Sequence, residues 1–148
     1  MDLKAEIRKR IIENERQELS GLKAMHKTHL KASDLDEDSS LSTEDFAQQD
    51  QSRESAIGME IRINQAKTAL DNFIQLDEGP KSKVEPGALV LTDSLNFYIG
   101  ISASLFEFDG KSYIGLETAA PIYSEIKDAQ VGDEVIFKGK KYKILEIL

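Results

Sequence analysis

The sequence predicts an α+β protein: an N-terminal antiparallel coiled-coil hairpin of two long helices, then a small antiparallel β domain with one short helix. Three observations carry this. Residues 2–76 hold two long segments without proline whose apolar residues recur at helical spacing. A run of acidic residues separates the two segments. After Gly79-Pro80 the texture changes to short apolar stretches of strand length, broken by turn residues. The expected boundaries are 1–78 for the hairpin, 79–83 for a linker and 84–148 for the β domain.

The first helix is expected from Asp2 to about Leu30. Asp2 is a suitable N-cap, because its carboxylate can accept a free N–H of the first turn. Ile7, Ile11, Ile12, Leu19, Leu22, Met25 and Leu30 form a thin apolar stripe, interrupted by Glu15 and Glu18. A stripe this narrow does not bury a helix in a globular core. It suits one partner helix along a seam.

The stretch Asp34 to Asp45 then carries six carboxylates (Asp34, Asp36, Glu37, Asp38, Glu44 and Asp45) and no positive charge. Such a cluster repels itself and gains nothing from burial, so it belongs in solvent. It reads either as a solvated loop or as a turn that delivers carboxylates to something outside the protein, such as a metal ion or a basic channel. Ser42 or Thr43 caps the second helix, with Glu44 and Asp45 in the first turn where the helix dipole favours anions. That helix is expected to run to about Leu76. Its seam is Ala56, Met59, Ile63, Ala66, Leu70 and Phe73, alternating three and four apart in a heptad-like pattern. Both helices come to about 30 residues, on the order of 45 Å at the α-helical rise. Near-equal lengths favour an antiparallel pair with the acidic stretch at the far end.

Strands are expected at Ala88–Leu91, Phe97–Ile101, Leu105–Phe108 and Lys111–Leu116, the last two joined by the strong Asp109-Gly110 turn. A short helix is expected at Pro121–Ile126. A final hairpin joins Glu134–Phe137 to Lys141–Ile147 around Lys138-Gly139-Lys140. In its last strand Tyr142, Ile144 and Glu146 are expected on one face, with Lys143, Leu145 and Ile147 on the other, as in a strand with neighbours on both sides. Phe97, Tyr98, Phe106, Phe108 and Tyr113 read as core packing of a small β domain, or as the lining of a ligand groove.

Composition excludes several classes. The net charge is −8, from 27 acidic and 19 basic residues, so no broad basic face is available for free nucleic acid. There is no cysteine, hence no disulfide, thiolate zinc site or cysteine nucleophile. No apolar run approaches the roughly 20 residues that span a bilayer. The N-terminus lacks a signal peptide's apolar centre, which makes a cytoplasmic protein the expectation. Ser102 and Ser104 have no histidine nearby in sequence, and no Gly-x-Ser-x-Gly elbow exists, so an independent hydrolase is not expected. His26 and His29 stand three apart, but no third ligand lies near them in sequence. Lys23, Lys27 and Lys31 recur every four residues, as a solvated helix face or as a basic stripe beside the acidic turn.

Two sets of residues resemble one family. Ala120-Pro121-Ile122, Ile126, Val131-Gly132-Asp133-Glu134-Val135 and Tyr142-Lys143-Ile144-Leu145-Glu146-Ile147 look like the end of the Gre-type bacterial transcription factors. Asp34-Leu35-Asp36-Glu37 resembles the Asp-Leu-x-Glu motif at the coiled-coil tip of that family. The resemblance covers essentially the whole chain. It implies a long antiparallel coiled coil followed by an FKBP-like β domain. The chain departs from the family where Asp38 to Thr43 intervenes before the second helix. Arg62-Ile63 resembles a family Arg-Ile pair, and counting back from it puts Asp45 at the tip glutamate. Two tip registers therefore stay open: Asp34 with Glu37, or Glu44 with Asp45.

The resemblance implies a factor that inserts its tip into the secondary channel of bacterial RNA polymerase and modulates cleavage of backtracked RNA. It would not be an enzyme by itself. Asp34 and Glu37 would share a Mg²⁺ with the polymerase active site, since Mg²⁺ prefers carboxylate and water oxygens. No metal or cofactor is expected on the protein alone. The nascent RNA 3′ end would be met indirectly, through the polymerase. Lys23, Lys27, Lys31, Pro121, Ile122, Gly132 and Asp133 are the expected partner-binding residues, on a monomer that does not engage a membrane. Alternatives are an inhibitory secondary-channel regulator, an FKBP-like peptide-binding module with a coiled-coil arm, and a structural hairpin that dimerises through its seam.

Overall fold

The computed structural model describes residues 2–33 and 43–148, with side chains described for 2–28 and 53–148. The elements, in order, are α1 (Leu3–Ser33), α2 (Thr43–Ile74), β1 (Leu89–Thr92), β2 (Leu95–Ile99), β3 (Ala103–Phe108), β4 (Lys111–Leu116), α3 (Pro121–Ile126), β5 (Glu134–Phe137) and β6 (Lys140–Ile147). The chain is therefore α+β, a helical hairpin followed by a six-stranded mixed sheet with one short helix.

Asp2 caps α1: its Oδ1 accepts the Ala5 N–H at 3.3 Å. Ile7, Ile11 and Ile12, near the start of α1, share a buried cluster with Leu70 and Phe73, near the end of α2. The two helices thus run antiparallel. The chain forms two compact units, Met1–Glu13 with Leu70–Leu148, and Asn14–Ala69. The division falls inside both long helices, whose inner ends share their core with the strands.

In the unit Asn14–Ala69 the α2 seam buries Ala56 and Met59 and half-buries Ile63 and Ala66. On α1 Leu19 and Leu22 are half-buried, whereas Met25 is 54% exposed. Spacing explains the contrast. Alternating steps of three and four keep the α2 seam on one line. The repeated steps of three at Leu19, Leu22 and Met25 rotate by about 60° each at 3.6 residues per turn, carrying Met25 off the seam.

The sheet order is β3-β4-β2-β1-β6-β5. It is not wholly antiparallel, as the sequence suggested: β2 pairs with β4 in parallel, from Leu95 opposite Ser112 to Ile99 opposite Leu116. After β2 the chain skips one strand position over Gly100-Ile101-Ser102 and descends as β3. The Asp109-Gly110 hairpin then returns β4 into the vacant slot, so the crossover between the parallel strands is itself a strand. Gly115 permits this: a Cβ there would lie 2.5 Å from the Ile101 carbonyl oxygen and 2.6 Å from the Ala103 Cβ.

A second departure lies in β6. Thr92 pairs with Ile144 but Leu91 pairs with Glu146, so Leu145 is an extra residue and the strand bulges. The bulge resets the alternation. Ile147 joins Tyr142 and Ile144 in the core, and Glu146 is exposed.

Two buried clusters line opposite faces of the sheet. One gathers Val90, Phe97, Ile99, Leu116, Val135, Tyr142 and Ile144 with Tyr123 and Ile126 of α3. The other packs Leu89, Tyr98, Ala103 and Tyr113 against the inner ends of α1 and α2. Asn96 is buried between Thr92 and Tyr113. Its Oδ1 accepts the Thr92 N–H at 2.8 Å, and its side chain also bonds Tyr113.

Candidate functional site

The candidate site is the acidic connection between α1 and α2, with the helix positions around it. Asp34 and Glu37, with Asp36 and Asp38, lie outside the described residues. Glu44 and Asp45 are the second and third residues of α2 and have helical backbone; their side chains are outside the described set. Acidic residues are favoured in the first turn of a helix by its dipole. The helices on either side of this stretch have 31 and 32 residues.

Lys23 and Lys27 are exposed on α1, one helical step apart on the same face. Lys31 is in α1, and its side chain is outside the described residues. His26 is half-buried, and no group of three or more His, Asp or Glu able to hold a metal occurs among the described residues. The hard-oxygen donors at 34–45 remain the set whose chemistry suits Mg²⁺.

The C-terminal partner candidates have visible structural duties. Pro121 is exposed and opens α3, where its fixed φ and missing N–H cost nothing. Ile122 packs against the α3-side core. Gly132 has φ +94 in the turn before β5, and its N–H donates to the Ile144 carbonyl at 2.9 Å. Asp133 closes the same turn: its Oδ2 accepts the Gln130 N–H at 2.8 Å. Gly132 and Asp133 are exposed.

Among the solved structures that the chain resembles, one covers nearly all of it. It is the crystal structure of GreA factor homolog 1 (Gfh1) protein of Thermus thermophilus, 19% identical, covering 97% of this chain and 93% of that chain with a TM-score of 0.34. No family model matches the chain, and no curated protein does.

The aromatic residues of the β domain do not form an open groove. Phe97, Tyr98 and Tyr113 are buried. Phe73 meets Tyr98 edge-on at 5.2 Å, and Phe106 stacks on Tyr113 at 5.7 Å. Burial pushes the Tyr98 hydroxyl up to about 12. A cavity of about 190 Å³ lies beside α1, lined by Glu6, Lys9, Arg10, Glu13 and Phe108. Its charges are of both signs and select no one ligand. No helix among the described residues is long and apolar enough to cross a membrane.

Two features escaped the sequence reading. Arg8 Nη2 donates to the Ile74 carbonyl at 2.8 Å and Arg8 Nη1 pairs with Glu78 at 2.7 Å, while Lys4 Nζ donates to the Gly79 carbonyl at 2.9 Å. Burial, then the neighbouring Lys81 charge, pulls the Lys4 ammonium below its usual range. The α2 C-terminus lacks a basic residue of its own, and Arg8 supplies the missing cation. Glu15, legible only as a break in the α1 stripe, is half-buried, and its carboxyl is pushed up to about 7 by burial first and by Glu18 second. The signal for both was an ionic residue on an apolar helix face.

Proposed function

We propose that this chain is a Gre-like accessory factor of bacterial RNA polymerase, whose helical hairpin enters the secondary channel and modulates Mg²⁺-dependent cleavage of backtracked RNA. The observation that carries the reading is the pair of long antiparallel helices whose connection is the six-carboxylate stretch. The tip motif and the C-terminal pattern of residues 120–147 support it. So does the order of hairpin before β domain.

In this reading the protein supplies no nucleophile of its own. Asp34 and Glu37 offer hard oxygen ligands to a Mg²⁺ shared with the polymerase, with Glu44 and Asp45 as the competing register. A second Mg²⁺ so held would stabilise attacking and leaving oxygens together. Lys23, Lys27 and Lys31 would lie along the helix toward the tip, placed to meet phosphates or polymerase acids. The β domain would hold the complex together through the surface around Pro121, Ile122, Gly132 and Asp133.

The test is co-elution of the purified chain with core RNA polymerase at low salt. The expected result is a stable complex that persists when Asp34→Ala and Glu37→Ala are combined. Failure to co-elute at low salt would remove the polymerase from the account.

A further inference from the structure

The β5–β6 hairpin carries charge opposite to that of the chain. Lys138, Lys140, Lys141 and Lys143 fall within six residues of a protein whose net charge is −8, and all four are exposed. None of them joins an ion pair among the described residues. The Lys138 and Lys140 ammoniums sit 5.4 and 5.5 Å from the Phe137 and Tyr142 ring centroids. Apolar surface accompanies this charge. Ile136 is 52% exposed directly opposite Lys141, and Leu145, displaced by the bulge, is 54% exposed beyond Lys143. β5 is the last strand of the sheet, and its own residues, Glu134-Val135-Ile136-Phe137, include no lysine or proline to guard that edge.

From these observations we infer that the β5–β6 hairpin docks an acidic protein segment in extended form, added as a further strand along β5. The unpaired lysines define the sign of the partner, and the open edge defines its conformation. The exposed apolar groups decide between partner classes. They are aliphatic, whereas single-stranded nucleic acid is held by exposed aromatic faces and guanidinium groups; here Tyr142 is buried and Phe137 is half-buried. In a strand added beside β5, every second residue shares the face of Lys141 and Lys143, and the residues between share the face of Val135 and Phe137, which suits a peptide in which acidic and aliphatic residues alternate. The inference does not depend on the polymerase reading.

The test titrates the full-length chain into a fluorescent peptide alternating glutamate with valine, followed by anisotropy at low salt. A peptide with lysine in place of glutamate and an oligouridylate of equal length are the comparisons. Expected are saturable binding of the glutamate peptide alone and slower amide exchange at residues 134–137 on its addition. Affinity should fall about tenfold or more in Lys141→Glu with Lys143→Glu. Lys141→Gln with Lys143→Gln should lose less, and both double variants should melt as the parent does. Four results would overturn the inference: no saturation by the glutamate peptide, equal or tighter binding of either comparison probe, binding unchanged in both lysine variants, or a dimer that these variants dissociate.

Discussion

Glu15 lies on α1, and its half-buried carboxyl is pushed up to about 7. The folded value is above the ordinary 4.5, so the folded form binds the proton more tightly than the unfolded chain. The stability this group contributes is therefore complete below about pH 4.5 and is lost as pH rises to about 7, then stays level. Glu15→Gln should flatten that slope. It should stabilise the protein above about pH 7 by roughly 1 kcal/mol, the shift being discounted for solvent screening of a partly exposed group. Urea melts of both proteins across the range measure it. Gly115 makes the opposite kind of prediction. In Gly115→Ala the new methyl meets the Ile101 backbone oxygen, which cannot swing aside as a side chain would. A loss of about 1–3 kcal/mol is expected by chemical denaturation, with an unchanged denaturant slope.

Among the elements, the junction of α1 with the end of α2 separates two effects of one side chain. Arg8 both bonds the Ile74 carbonyl and pairs with Glu78, whose side chain is 57% exposed. A charge-assisted bond at a helix terminus outweighs an exposed ion pair. Arg8→Ala should therefore cost about 1–3 kcal/mol in thermal or urea melts, and Glu78→Ala less than about 0.5. At this scale local pattern was largely legible. The Asp2 cap, the three-four alternation of the α2 seam, the Asp109-Gly110 hairpin and the bounds of α3 each follow from a few neighbouring residues. What was not legible depends on partners distant in sequence. The parallel β2–β4 pair follows from where the chain crosses Gly115, and the β6 bulge from a mismatch with β1. The Arg8 clamp joins residues 66 positions apart. At the candidate site, the acidic stretch and the lysine spacing were plain in the sequence, while the partial burial of Glu15 was not, because burial depends on packing and not on local pattern.

Over the whole molecule, charge is divided in a way composition alone conceals. The net charge of −8 combines an acidic stretch at residues 34–45 with a lysine-rich hairpin at residues 138–143. The two features suit different chemistry, hard cations or basic surroundings for one and an acidic segment for the other. The proposed polymerase function rests on the first of them. Its most direct test is RNA cleavage in purified backtracked elongation complexes, with and without the chain, in Mg²⁺. The account predicts that the chain changes the cleavage rate and that Asp34→Ala with Glu37→Ala abolishes the change while co-elution persists. If that pair has no effect and Glu44→Ala with Asp45→Ala abolishes it instead, the tip register moves by one helix start. A cleavage rate identical with and without the bound chain would contradict the account.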